Sequence, residues 1–223
     1  LPRIMFPPII SSDWMSRSPA VSSCPTNLSQ TDGDTSVQRG GIAPSVTYRW
    51  GKDDATTLRY TYSPTNYTND PASRVLDRDG TAHVFSASHS TLVDNDVFPL
   101  GVNLQIGINR SFNEAEGDDF AYDSYGWFFS ASRQLPYDIR GSVSFSHQLD
   151  DYRNPNSLAG VGFDFNRADR IKRLNFYLER PVPFFDLDNL SVFVNWQYTD
   201  SQSSISFFDY TQTSFNLGVT ARF

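Results

Sequence analysis

Three histidines, two acidic stretches and a set of arginines are the residues of this chain that could do chemistry. His83 and His89 lie six residues apart in one run that alternates polar and apolar residues. In an extended strand that spacing puts them on one face, roughly 20 Å apart at about 3.3 Å per residue, too far to ligate one metal. His147 stands alone. No serine or carboxylate pair shares a face with a histidine in the way nucleophilic or general acid–base chemistry requires. The histidines therefore read as interfacial or rim residues, and no enzymatic activity is expected. Glu114, Glu116, Asp118 and Asp119 form one acidic cluster, and Asp150 and Asp151 another. Oxygen-rich loops can bind calcium, but solvated acidic loops are the simpler reading. No metal and no cofactor is expected.

The arginines are more informative once the elements that position them are drawn. From Ile42 onward, runs of about ten residues alternate apolar and polar, the period of a β-strand. Nine such runs are legible: 42–50, 55–63, 81–92, 101–111, 121–132, 139–149, 168–180, 189–199 and 212–223. In 101–111, Val102, Leu104, Ile106 and Ile108 oppose Asn103, Gln105, Gly107 and Asn109. In 189–199 the apolar face is Leu190, Val192, Val194, Trp196 and Tyr198. These registers put Arg49, Arg59, Arg140, Arg173 and Arg222 on the polar face, with Asn103, Gln105, Asn195 and one main carboxylate, Glu179. Inward arginines suit either an anion-selective lining or a bonded network filling a narrow interior.

The connections alternate in length. Turns at 51–54, 94–100 and 135–138 are short, whereas 64–80, 112–120, 150–167 and 200–211 are long. Short turns on one side and long loops on the other are the pattern of outer-membrane barrels. The rings of Tyr48, Trp50, Tyr60, Tyr62, Tyr125, Trp127, Trp196 and Tyr198 fall near run ends on the apolar side, as aromatic girdles at membrane interfaces do. The expected fold is all-β, an antiparallel up-and-down transmembrane barrel of about ten strands, or the C-terminal part of a larger one. Residues 41–223 form the barrel. Residues 1–40 supply one ascending strand within 1–12 plus an external loop. The first residue is Leu1 rather than Met, which reads as a processed or truncated chain.

Bulk properties bound the alternatives. The 223 residues carry a formal charge of −7 and 15% aromatics. That balance argues against a nucleic-acid partner. No apolar run reaches the roughly 18 residues of a membrane-spanning helix. One cysteine, Cys24, rules out an internal disulfide. The stretch Val21 to Cys24 resembles a lipoprotein cleavage box, but charges and prolines interrupt the segment before it, so a loop cysteine is expected.

The final run, Thr213 to Phe223, resembles the C-terminal signature of bacterial outer-membrane proteins, a terminal Phe with apolar residues at alternate positions before it. The resemblance implies that Phe215, Leu217, Val219, Ala221 and Phe223 are read by the barrel assembly machinery. It also implies an outer-membrane location with a periplasmic C-terminus and with lipid and lipopolysaccharide around the barrel. Three further stretches, Asp77 to His83, Arg167 to Arg170 and Ser204 to Tyr210, are similar to the barrel of tetratricopeptide-linked outer-membrane proteins such as surface-lipoprotein assembly modifiers. The functions that follow are a porin-like pore for small polar or anionic solutes, or a structural component docking an envelope protein partner. A surface-binding protein acting through its external loops is one alternative. A soluble β-sandwich that binds carbohydrate is another.

Overall fold

The computed structural model describes residues 18–23, 27–31, 34–67, 76–95, 98–157, 165–182 and 190–221. Its strands are β1 (Ser18–Ser23), β2 (Asn27–Thr31), β3 (Asp34–Arg39), β4 (Ile42–Arg49), β5 (Asp54–Tyr67), β6 (Gly80–Asn95), β7 (Phe98–Ala115), β8 (Tyr122–Gln134), β9 (Arg140–Pro155), β10 (Asn166–Pro181), β11 (Leu190–Ser203) and β12 (Tyr210–Ala221). From β4 to β12 every strand pairs antiparallel with the next one in the chain, and β1 pairs with the free edge of β4. This is the expected all-β, up-and-down fold class, with nine consecutive meandering strands in one sheet. The β2–β3 hairpin adds to the end of β5 through Val37–Arg39. Residues 1–12, where an ascending strand was expected, lie outside the described residues, as do Cys24, Arg222 and Phe223. The strand running beside β4 is β1, within the segment expected to be loop.

Each of the nine runs seen in the sequence became a strand, because alternation at period two fits a pleated ladder with one face apolar. The strands exceed the runs on the loop side. β9 continues through Asp150–Pro155, with a register shift against β10 beyond Asp151, and β11 through Asp200–Ser203, in register with β10. The backbone ladder outlasts the apolar stripe. The turn between β8 and β9 places Tyr137 (φ 65°) and Asp138 (φ 59°) in the left-handed region, the pair of conformations a tight primed hairpin turn demands.

Burial is inverted relative to a soluble domain. Among the described residues the buried apolar side chains are only Ala43, Ala121 and Ile171, while Asp119, Ser124, Asp150, Asn156, Asp169, Ser191 and Ser201 are buried. Leu217 is 73% exposed and Ile108 63%. A β-sandwich buries its apolar faces between two sheets about 10 Å apart. Here the described strands belong to one sheet, and the apolar face has no second layer against it. The sandwich alternative is therefore set aside.

Candidate functional site

Cross-strand pairing fixes which residues share the polar face. Arg59 lies opposite Ser45 on one side and Ser86 on the other, and that row continues through Asn109, Gly126 and Gln148. Arg49 is on the same face of β4, Asn103 and Gln105 on that of β7, and Asn195 on that of β11. Arg49, Arg59, Arg140 and Arg173 are all exposed there. Glu179 and Asp150, on the same face, are not. Glu179 accepts from Ser191 Oγ at 2.7 Å and Tyr177 OH at 3.3 Å, and pairs with Arg140 at 3.4 Å. Arg173 donates to Gln148 Oε1 (3.1 Å), whose amide donates to both oxygens of buried Asp150 (2.8 and 3.1 Å). The result is a wall of solvent-facing guanidinium groups with these two carboxylates held down by neighbours. Asn195 differs from its expected role, since its Oδ1 is enclosed, as is that of Asn175.

Two phenylalanines on this face escaped the reading of alternation. Phe128 lies directly opposite Gly107, and Phe193 directly opposite Gly218. A Cβ built on Gly107 would sit 2.4 Å from the Phe128 ring, and one on Gly218 2.5 Å from that of Phe193. The rings lie across glycine gaps in the neighbouring strand, and Phe193 also stacks on Tyr177. The signal available in the sequence was the glycine at the paired register position, not the ring itself.

In the acidic stretches Glu114, Glu116, Asp118 and Asp151 are exposed as expected, but Asp119 and Asp150 are buried. Asp119, in the short 3-10 turn Asp118–Phe120, is 3% exposed and accepts from the backbone N–H of Ser157 at 2.8 Å and from its hydroxyl. The same connection is tied to the β5–β6 loop by Glu116 N–H to Asp79 O (2.7 Å), Gly117 N–H to Asp77 O (3.0 Å), and Arg78 over the Phe120 ring (4.7 Å). Asp79 in turn accepts from Tyr67 N–H at 2.6 Å. Farther round, Arg167 pairs with buried Asp169 while its guanidinium covers the rings of Tyr152 and Phe208. Three long connections are thereby bonded to one another across the loop end of the sheet.

On the opposite face stand the residues expected as girdles. Tyr60 OH meets His83 Nδ1 at 2.8 Å, and His89 Nδ1 meets Thr56 Oγ1 at 3.0 Å. Trp127 contacts Phe145 and His147, and Phe176 contacts Trp196. The histidines are spread over this face and converge on no shared centre. Phe215, Leu217 and Val219 are on it too, fully displayed.

A family model described as "Protein of unknown function (DUF2860)" matches residues 26–221. No curated protein matches the chain. Among solved structures, the β domain of the Bordetella autotransporter Brka is 15% identical, with a TM-score of 0.39, over 89% of this chain and 82% of that one.

Proposed function

The chain belongs to the family described as protein of unknown function DUF2860, and we propose that it is a non-enzymatic outer-membrane β-barrel whose lumen passes small polar, mainly anionic, solutes. The observation that carries the reading is the contrast between the two faces. One is apolar and uncovered, which is stable only against lipid. The other is polar, with four exposed arginines, while Glu179 and Asp150 are held by neighbouring side chains. In this reading the turns at 51–54, 94–100 and 135–138 and the C-terminus face the periplasm, and the long connections face outside. Lipid and lipopolysaccharide surround the apolar face. Phe215, Leu217, Val219, Ala221 and Phe223 form the segment read by the assembly machinery. A kinship with assembly-modifier barrels belongs to the same proposal. Its supporting stretches fall at the loop before β6, at the start of β10 and at the β11–β12 connection.

The bonded external connections favour a second reading, in which the barrel is a platform that docks an envelope partner. Planar-bilayer recordings separate the two. A pore conducts, and fixed inward positive charge makes anions carry more of the current, an effect that fades as salt screens charges within about 10 Å at 0.1 M. Arg140→Gln with Arg173→Gln should weaken the anion preference and leave the fold intact, because Glu179 keeps Ser191 and Tyr177, and Asp150 keeps Gln148. A silent bilayer from protein that is membrane-extracted and heat-modifiable on gels would end the pore reading and leave the platform.

A further inference from the structure

The apolar face is not uniform. Val46, Leu58, Ala87 and Ile108 are successive cross-strand partners on β4 to β7, and the next row toward the loops is Tyr60, Phe85, Arg110 and Tyr125. Ala87 is the small residue among large ones. The rows around it, with Ser45, Arg59, Ser86 and Asn109 of the polar-face row between them, line an open groove of about 730 Å³ whose exposed surface is mostly apolar. At its loop-side end sits Arg110, the cation of that row, and it is exposed. Its guanidinium lies over the rings of Phe112 and Tyr125, 4.7 Å from each centroid, and no carboxylate pairs with it among the described residues. Two rings hold the planar group in place while leaving its N–H donors without an anion. A guanidinium of fixed orientation matches a phosphate, which it binds with two parallel hydrogen bonds.

We infer that this groove binds one acyl chain of lipid A, the phosphorylated glycolipid anchor of lipopolysaccharide, with a lipid A phosphate on Arg110. The inference rests on the proposed membrane orientation. β7 climbs from Phe98 to the external connection at 116–121, so Arg110, beyond Val102 to Ile108, stands at the outer-leaflet interface. Below it the groove runs toward the membrane centre along Ile108, Ala87 and Leu58, the direction an acyl chain takes from its phosphate. Lipid A supplies both groups from the leaflet that Arg110 faces, whereas a phospholipid such as phosphatidylglycerol offers one phosphate and comes chiefly from the opposite leaflet.

The test is native mass spectrometry of the full chain in detergent, titrated with lipid A, dephosphorylated lipid A and phosphatidylglycerol. Lipid A should bind tightest. Arg110→Gln should weaken lipid A about tenfold, as loss of one charge-assisted contact does, and should leave dephosphorylated lipid A unchanged. Arg110→Lys should fall between. Ala87→Leu, which fills the hollow without changing charge, should weaken both forms of lipid A. Equal lipid A affinity in the wild type and Arg110→Gln would overturn the assignment, and so would phosphatidylglycerol competing as well as lipid A. Heat-modifiable mobility is recorded for every sample. If the wild type lacks it, the membrane reading fails and takes the site with it. If the wild type has it but shows no lipid A preference, the site alone fails.

Discussion

Arginine introduced at Leu104 or Val194 should cost roughly 2–4 kcal/mol of barrel stability, whereas arginine at the neighbouring Gln105 should be nearly neutral. Leu104 and Val194 lie on the apolar face, Val194 between Leu178 and Leu217 in the ladder. A guanidinium at mid-membrane depth loses its hydration or drags water into the bilayer, and this gives the cost for outward positions near the midplane. Gln105 is on the other face, opposite Ser90 and Ser130, where a longer polar side chain meets water and hydroxyls. Asn195 is the informative exception on that face. Its Oδ1 is enclosed, so arginine there must displace packed neighbours and should destabilise although the position faces inward. Urea titrations after refolding into phospholipid vesicles measure all four changes. Equal losses at Leu104 and Gln105 would mean that the two faces are not lipid and water.

The second large effect is expected at the loop end. Asp119→Ala should lower stability by about 1.5–3 kcal/mol, the range for hydrogen bonds to a charged group, and should open the external connections to protease. Asp119 is buried and holds Ser157 through two donors, although 38 residues separate them. Its removal frees the turn Asp118–Phe120 from the end of β9 and weakens the layer that Asp77 and Asp79 complete. Asp118→Ala serves as the control. Asp118 is exposed and meets Asn154 in an exposed contact at 2.9 Å, so its loss should be within about 0.5 kcal/mol. Limited proteolysis of membranes, read at residues 116–121 and near Ser157, checks the pair. If Asp118→Ala and Asp119→Ala behave alike, the external connections are not held as a unit.

What could be read from the sequence divides along physical lines. The middle of each strand was legible because Val102, Leu104, Ile106 and Ile108 alternate against polar neighbours, and an apolar stripe along one face of the sheet leaves that trace. Strand ends were not. At Asp151 and Arg153 the outward residues turn polar, yet Asp151 still pairs with Asp123 across the ladder and Arg153 with the Asp123 carboxylate. Hydrogen bonding continues where hydrophobicity stops. That Arg49, Arg59, Arg140 and Arg173 share the polar face followed from parity alone. Phe128 did not, because Trp127, Phe128 and Phe129 read as one apolar run, and only its cross-strand partner Gly107 explains an inward ring. Asp119 could not be placed at all, since a loop carboxylate is buried or solvated according to a partner far along the chain.

Single-cysteine scanning along β7 tests the central claim most directly. In a Cys24→Ser background, cysteines at positions 102–109 are reacted with a membrane-impermeant, water-soluble maleimide in intact proteoliposomes. A lipid-embedded barrel with a wet lumen predicts labelling at Asn103, Gln105 and Asn109, and protection at Val102, Leu104, Ile106 and Ile108. Uniform labelling, or protection of the odd positions with labelling of the even ones, would contradict the account.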